Sequence, residues 1–294
     1  MASPAATLAR RLWESIEPVH AAVYFDDAAR SVAVGLGMSG YWMGYFSARS
    51  APLGAMAPGP VAAMFYSFAP GRVARALPEA WQHADPATVL QARIDTAVTV
   101  LRPHLEALSV ADLDRLAALL ETAAQGCGFD GRPLAAGWSQ VPLPESVAAR
   151  IWLAATVLRE HRGDGHVLAC VREGLGGLDA VLTHVATGAV TRDVLQRNRG
   201  WSDQEWCAGL RRLRARKLID VDGRLTRSGG MLRREIEDRT DILAGDPVTV
   251  LGPAGVQEVI DIAAPLSARL FDCGAMSEPN PIGVPRPRRS SPAS

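Results

Sequence analysis

The sequence predicts a mainly α protein: a multi-helical N-terminal region followed by a C-terminal winged helix-turn-helix with a small β-hairpin wing. Three observations lead there. Apolar residues recur at helical spacing over most of the 294-residue chain. The stretch "WSDQEWCAGLRRLRARKLIDVDGRLTRSG" (201–229) opens on a helix cap and closes on a hairpin signal. Short helical patterns flank it on both sides, in the order three helices, hairpin, return helix.

The body is read first. "PATVLQARIDTAVTVLRPHLEAL" (86–108) sets Val89, Leu90, Ile94, Val98, Leu101 and Leu105 on one stripe. "SVADLDRLAALLETAAQG" (109–126) starts on Ser109 as N-cap, with Asp112 in its first turn, and stops at Gly126. Two more helical blocks cover 144–163 and 165–188, the second broken between Gly174 and Gly177. The Gly/Pro-rich stretch 47–71 carries too many large apolar groups to be left in water and is expected to be ordered and aromatic-lined. The tail from 277 has several prolines and no apolar period, so it is expected to be largely disordered. The expected division is therefore 1–175 as a helical effector or pocket region, 176–276 as the winged helix-turn-helix with its return helix, and 277–294 as tail.

In the second region, Ser202 and Glu205 form the S-x-x-E capping box. Trp206, Leu210 and Leu213 follow on one face, which leaves Arg211, Arg212, Arg214 and Arg216 mostly off it. Asp222-Gly223 between two short apolar runs favours a type I′ hairpin. Leu232, Ile236 and Ile242 give the return helix its inner face.

Composition narrows the function. Lysine plus arginine balance aspartate plus glutamate at 31 each, so no global field favours nucleic acid or an anionic membrane. Between Arg192 and Arg234, however, twelve basic residues face five acidic ones, a patch suited to phosphate neutralisation. Arg197, Arg199, Arg212, Arg216 and Arg224 are the candidate DNA contacts. Asp203 and Glu205 oppose them, since they occupy the start of the presumed recognition helix, the end usually nearest the bases. The four cysteines have no C-x-x-C pair, no apolar run approaches the length of a membrane span, and no signal peptide is evident. A soluble, cytoplasmic protein is expected.

Titratable groups gather outside the winged segment. "EPVHAAVYF" (17–25) sets His20 and Tyr24 at i, i+4, and "REHRGDGH" (159–166) places His161, Asp164 and His166 around two glycines, read as a helix end. These five are candidates for ligand contact or acid–base catalysis, with "YWMGYF" and "MFYSF" as aromatic walls. Plainer roles stay open: a histidine can simply cap a helix C-terminus, and the aromatics can be core. The i, i+5 spacing of His161 and His166 lacks the one-face geometry of H-E-x-x-H, so no metal is assigned and no cofactor is expected.

With those residues in view, the chain resembles an actinobacterial family of helix-turn-helix proteins of about this length, with a winged part similar to that of MarR-type regulators. The segments that carry the resemblance are "EPVHAAVYF", "GYWMGYFSARSAPLG" (40–54), "REHRGDGH", "RGWSDQEW" (199–206), "DGRLTRSG" (222–229), "EDRTDILA" (237–244) and "PNPIGVP" (279–285). The resemblance implies a transcription regulator that binds double-stranded DNA. The full reading is a ligand-responsive regulator, homodimeric, with a small aromatic or polar effector. The alternative is a small-molecule binding protein or enzyme of specialised metabolism on a regulator-like scaffold, using the His/Tyr/Asp cluster. A third reading is a protein-contact module without chemistry.

Overall fold

A computed structural model describes residues 3–287. Its helices are α1 (Pro4–Ala21), α2 (Asp27–Gly35), α3 (Tyr41–Ser50), α4 (Pro58–Phe65), α5 (Pro70–Ala74), α6 (Ala80–His83), α7 (Pro86–Leu105), α8 (Val110–Gln125), α9 (Pro133–Ser139), α10 (Val147–Arg172), α11 (Gly177–Val185), α12 (Arg192–Arg199), α13 (Asp203–Ala215), α14 (Arg227–Leu243) and α15 (Asp246–Asp272). None of them is long and apolar enough to cross a membrane.

Three apolar cores organise them. The first gathers α1, α7, α8, α10 and α15 around Leu12, Ile16, Leu116, Leu120, Trp152 and Val259. The second holds α3 to α6 around Phe46, Phe65, Phe68 and Leu77. The third is built on Leu178, Leu182, Leu195, Trp206, Leu213 and Ile236 and contains α11 to α14. Helix α10 contributes to the first and third cores and is buried on most sides, which explains why it shows so little amphipathic pattern in sequence.

Local chemistry starts and stops these helices at the positions the sequence marks. Ser109 Oγ accepts from the Asp112 backbone N–H at 3.1 Å, and α8 ends at Gly126. In α7, Val89, Ile94, Leu101 and Leu105 are buried, with Leu90 and Val98 packed at the edge of the core. Ser202 and Glu205 complete the capping box of α13 reciprocally. Residues 277–287 do not hang free at their inner end. Asn280 and Val284 are buried, joined by bonds of 2.8 and 3.2 Å. The end of the expected tail, 288–294, lies outside the described residues.

The β-hairpin wing is not there. Between α13 and α14 the described residues contain a single antiparallel bridge, Ile219 with Leu225, and no strand. The reason is local. Asp220 Oδ1 accepts from the backbone N–H groups of Asp222 and Arg224, both at 2.9 Å, and Arg214 donates to the carbonyls of Asp220 and Val221. Side chains thus take bonds that a ladder would have used. The arms are also too short: Lys217 turns the chain with φ 58°, and Thr226 already caps α14 through the Gly229 N–H. Asp-Gly forms a tight turn without a sheet.

A second difference concerns "REHRGDGH". It lies in the middle of one continuous 26-residue helix, α10, and not at a helix end. Two glycines in a helix interior cost about 1 kcal/mol each. Close packing requires one of them: a Cβ on Gly165 would lie 2.8 Å from Arg132 Nη1, which itself binds the His161 carbonyl.

Candidate functional site

A cavity of about 990 Å³ opens between the helical body and α11–α12. One wall comes from α1, α3 and α10, through residues such as Glu17, Tyr45, Arg159 and Asp164. The other comes from Ala180, Val181 and His184 of α11 and Leu195, Asn198 and Arg199 of α12, with residues 281–283 at the edge. The spacing of "YWMGYFSAR" builds the aromatic side. Tyr41, Tyr45 and Arg49 recur every four residues along α3 and so share a face.

The two titratable segments meet here. Arg159 Nε lies 3.3 Å from Glu17 Oε1, and Glu17, Tyr24, Asp164 and His166 all line the cavity. His20 stands behind Tyr24. Thr156 Oγ1 donates to the Trp152 carbonyl at 2.7 Å, so it accepts from His20 Nδ1–H at 2.8 Å; His20 Nε2 is then left to accept from the Tyr24 hydroxyl at 2.9 Å. Burial holds the His20 imidazole well below its usual pKa and pushes the Tyr24 phenol up, so both are neutral. His166 repeats the pattern. Its Nδ1 meets Thr240 Oγ1 at 3.0 Å, Thr240 donates to the Ile236 carbonyl, and Nε2 is 3.5 Å from Cys170 Sγ.

The other two candidates sit differently. His161 points away from the cavity, with Nε2 3.2 Å from Asp246 Oδ2 and its ring edge-on to Phe129. Burial, with Arg132 nearby, lowers its pKa to about 4. Asp164 reaches back to α9, where it accepts from the N–H groups of Leu134 and Ala135 at 3.0 and 3.1 Å. Burial and the neighbouring Glu160 raise its carboxyl to about 6. Among the described residues, no cluster of three or more His, Cys, Asp or Glu is disposed to hold a metal.

Sequence reasoning missed the charged centre of the site. Arg49 makes a bidentate pair with Glu160, 2.7 Å on each arm, and Arg159 adds a third bond at 2.8 Å. Burial alone would raise the Glu160 carboxyl, but Arg159 and Arg49 outweigh it and hold it well below the carboxylate range. An arginine in an aromatic-rich helix and a glutamate 111 positions away give no local signal of pairing.

The candidate arginines between Arg197 and Arg224 are unequally placed. Arg197 and Arg224 are exposed. Arg212 pairs with Asp179 at 2.8 Å, and Arg216 donates to the carbonyls of Gly174 and Glu173 at the end of α10; both stay at the surface. Arg199 turns inward, over the Phe68 ring at 4.4 Å, and lines the cavity. Asp203 at the start of α13 is matched by Arg192 at 2.6 Å.

The turn between α12 and α13 is clamped to the body. The Ala69 N–H donates to the Arg199 carbonyl at 2.9 Å, Trp201 Nε1 to the Ser67 carbonyl at 2.9 Å, and Arg72 to the Arg197 carbonyl at 2.8 Å. Gly200, at φ 78°, supplies the left-handed turn and leaves room for Arg72 against it. Tyr66 and Phe68, from the same segment, face the cavity.

No curated protein and no solved structure matches the chain. The model of a helix-turn-helix family does, over residues 9–277, nearly the whole chain, and the helix-turn-helix is a motif by which regulators bind DNA. The chain therefore belongs to a helix-turn-helix family.

Proposed function

We propose that the protein is a ligand-responsive DNA-binding transcription regulator whose effector cavity lies between the helical body and the helix-turn-helix. One observation carries this reading: α11 and α12 are themselves a wall of the cavity. A ligand filling that space would bear directly on the elements that position α13, and differential contact is what lets a ligand bias one arrangement over another. Duplex DNA would be met by the exposed face of α13, with Arg211 and Arg214, and by Arg197 and Arg224 beside it. Arg212 and Arg216 would brace that face while adding to its positive field. The protein acts in this reading as a cytoplasmic homodimer.

The test is a titration against fragments of the protein's own promoter region, with unrelated duplex as competitor, at two salt concentrations. Affinity should fall steeply with salt, with a log–log slope of about −0.9 for each phosphate neutralised. Arg197→Ala with Arg224→Ala should weaken binding and flatten that slope. Binding no better than to random duplex, with and without cell extract as a source of small molecules, would sink the proposal.

The hydrogen-bonded chain Tyr24–His20–Thr156 at the cavity wall favours a second reading, a small-molecule binding protein or enzyme using Tyr24 as proton donor or acceptor. Tyr24→Phe separates the two. It leaves a regulator's DNA affinity intact and removes an enzyme's turnover.

A further inference from the structure

Most guanidiniums lining the cavity have a carboxylate. Arg10 and Arg162 bind Asp241, Arg49 and Arg159 bind Glu160, and Arg233 approaches Glu237. Arg199 does not. Among the described residues no carboxylate lies within ion-pair reach of it; its contacts are the face of Phe68 and a long, 3.5 Å bond to the Pro281 carbonyl. Burial lowers its pKa, a sign that the charge is poorly compensated. Arg93 lies behind the same wall, 7% exposed, with its guanidinium 4.4 Å from the Tyr24 ring centroid and Nε unbonded. Arg93 is buried and Arg199, half-buried, faces the cavity; among the described residues neither has a carboxylate partner, and an anion entering the cavity would supply the missing counter-charge.

Tyr45 reports the local field. Burial by itself would raise its phenol, yet Arg49, Arg199 and Arg159 together outweigh burial and leave it below the usual value. The positive region is also walled by flat rings. Tyr41 and Tyr45 stack at 6.0 Å and 27°, and Phe68 sits 5.5 Å from Tyr45. Elsewhere the lining carries Glu17, Asp26, Asp27, Asp164 and Glu237, which disfavours a ligand of high negative charge such as a phosphate ester. The volume, at the upper end for small-molecule sites, leaves room for more than one ring.

We propose that the cavity binds a planar aromatic carboxylate of two or three rings, its carboxylate on Arg199 and its rings against Tyr41, Tyr45 and Phe68. This inference rests on the reading of the cavity as an effector site and gives that effector a chemical class. It also gives the signal a route. Arg199 is the last residue of α12, its carbonyl is held by Ala69, and Gly200 and Trp201 follow as the turn into α13. A carboxylate drawing on the Arg199 side chain acts on the junction that orients α13.

The experiment titrates the full-length protein with 2-naphthoate and anthracene-2-carboxylate, each beside its neutral amide, and follows the fluorescence of Trp13 and Trp42, which line the cavity. The acids should bind saturably and the amides about ten- to a hundredfold more weakly, the range expected for a hydrogen bond between charged groups. Arg199→Gln should bring acid and amide to the same affinity, and Arg199→Lys should restore part of the preference. Equal affinity for acid and amide in the natural protein overturns the proposal without need of any variant. So does a preference that survives Arg199→Gln, or the absence of saturable binding by both acids. A parallel titration with promoter DNA keeps the two readings apart. Carboxylate binding that leaves DNA affinity unchanged supports the ligand class and sinks its role as effector. DNA binding with no carboxylate preference sinks the ligand class and leaves the regulator reading standing.

Discussion

Arg49 and Glu160 face each other across the junction of α3 and α10 through two 2.7 Å hydrogen bonds, the carboxylate fully withdrawn from water and the guanidinium nearly so. The pair joins the aromatic core of α3 to α6 to the central helix, and its Arg49 lines the cavity. Truncating one partner leaves a buried charge alone, which costs about 3–5 kcal/mol. Glu160→Gln should lower stability by that order in urea unfolding, because Arg159 loses the same partner. A loss below about 1 kcal/mol would mean that water reaches the pair.

The buried histidines set a pH dependence of definite sign. His161 has a pKa of about 4 in the fold against 6.5 when free, so the unfolded chain takes up its proton first as pH falls. Stability from this group is complete above about pH 6.5 and drains away toward pH 4. Asp164, raised from 3.8 to about 6, works in the opposite direction: between those values the folded form binds the extra proton and gains as pH falls. In denaturant melts across about pH 4 to 7, His161→Gln should flatten the acid-side loss and Asp164→Asn should steepen it. The same sign for both variants would contradict these environments.

Gly177 is where α11 touches the body most closely. A Cβ there would run into the carbonyl oxygen of Tyr66, a residue already held at φ 45° by its side chain's bond to the Leu175 carbonyl. Since backbone cannot move aside cheaply, Gly177→Ala should cost about 1–3 kcal/mol. It should also loosen the helix-turn-helix from residues 66–69, read as faster proteolysis between α10 and α11. An unchanged cleavage pattern would show that the contact does not hold the two parts together.

The capping box predicts a smaller, local effect. Ser202→Ala removes the acceptor for the Glu205 N–H at 3.3 Å and the hydroxyl that donates to the Glu205 carboxylate at 2.6 Å. The expected loss is about 1 kcal/mol. It should appear as faster amide exchange confined to the first turn of α13, with the rest of the third core unaffected. Exchange that rises evenly across α11 to α14 would assign the box a role in docking as well.

Helix starts, apolar stripes and the helix-turn-helix are all legible in the sequence, because each depends on residues within a turn or two of one another. Ser109, the Ser202–Glu205 box and the stripe of α7 are of this kind. The same local logic fails at residues 218–226, where Asp-Gly correctly marks a turn but cannot show that Asp220 and Arg214 will take the backbone bonds of a hairpin. It fails again in α10, where two glycines read as a helix end and are instead placed inside a buried helix, one of them against Arg132.

The candidate site divides along the same line. Residue order alone is enough to put His20 and Tyr24 on one face, to gather a basic cluster around α13, and to mark the chain as a helix-turn-helix protein. Packing had to be known before Glu17 could be seen to meet Arg159, Glu160 to meet Arg49, His161 to look away from the cavity, and Arg199 to turn inward. Periodicity sets which face of a helix is apolar, but pairing between helices depends on how those faces are packed against each other. A charge with no partner nearby in sequence is placed by the cavity it ends up lining.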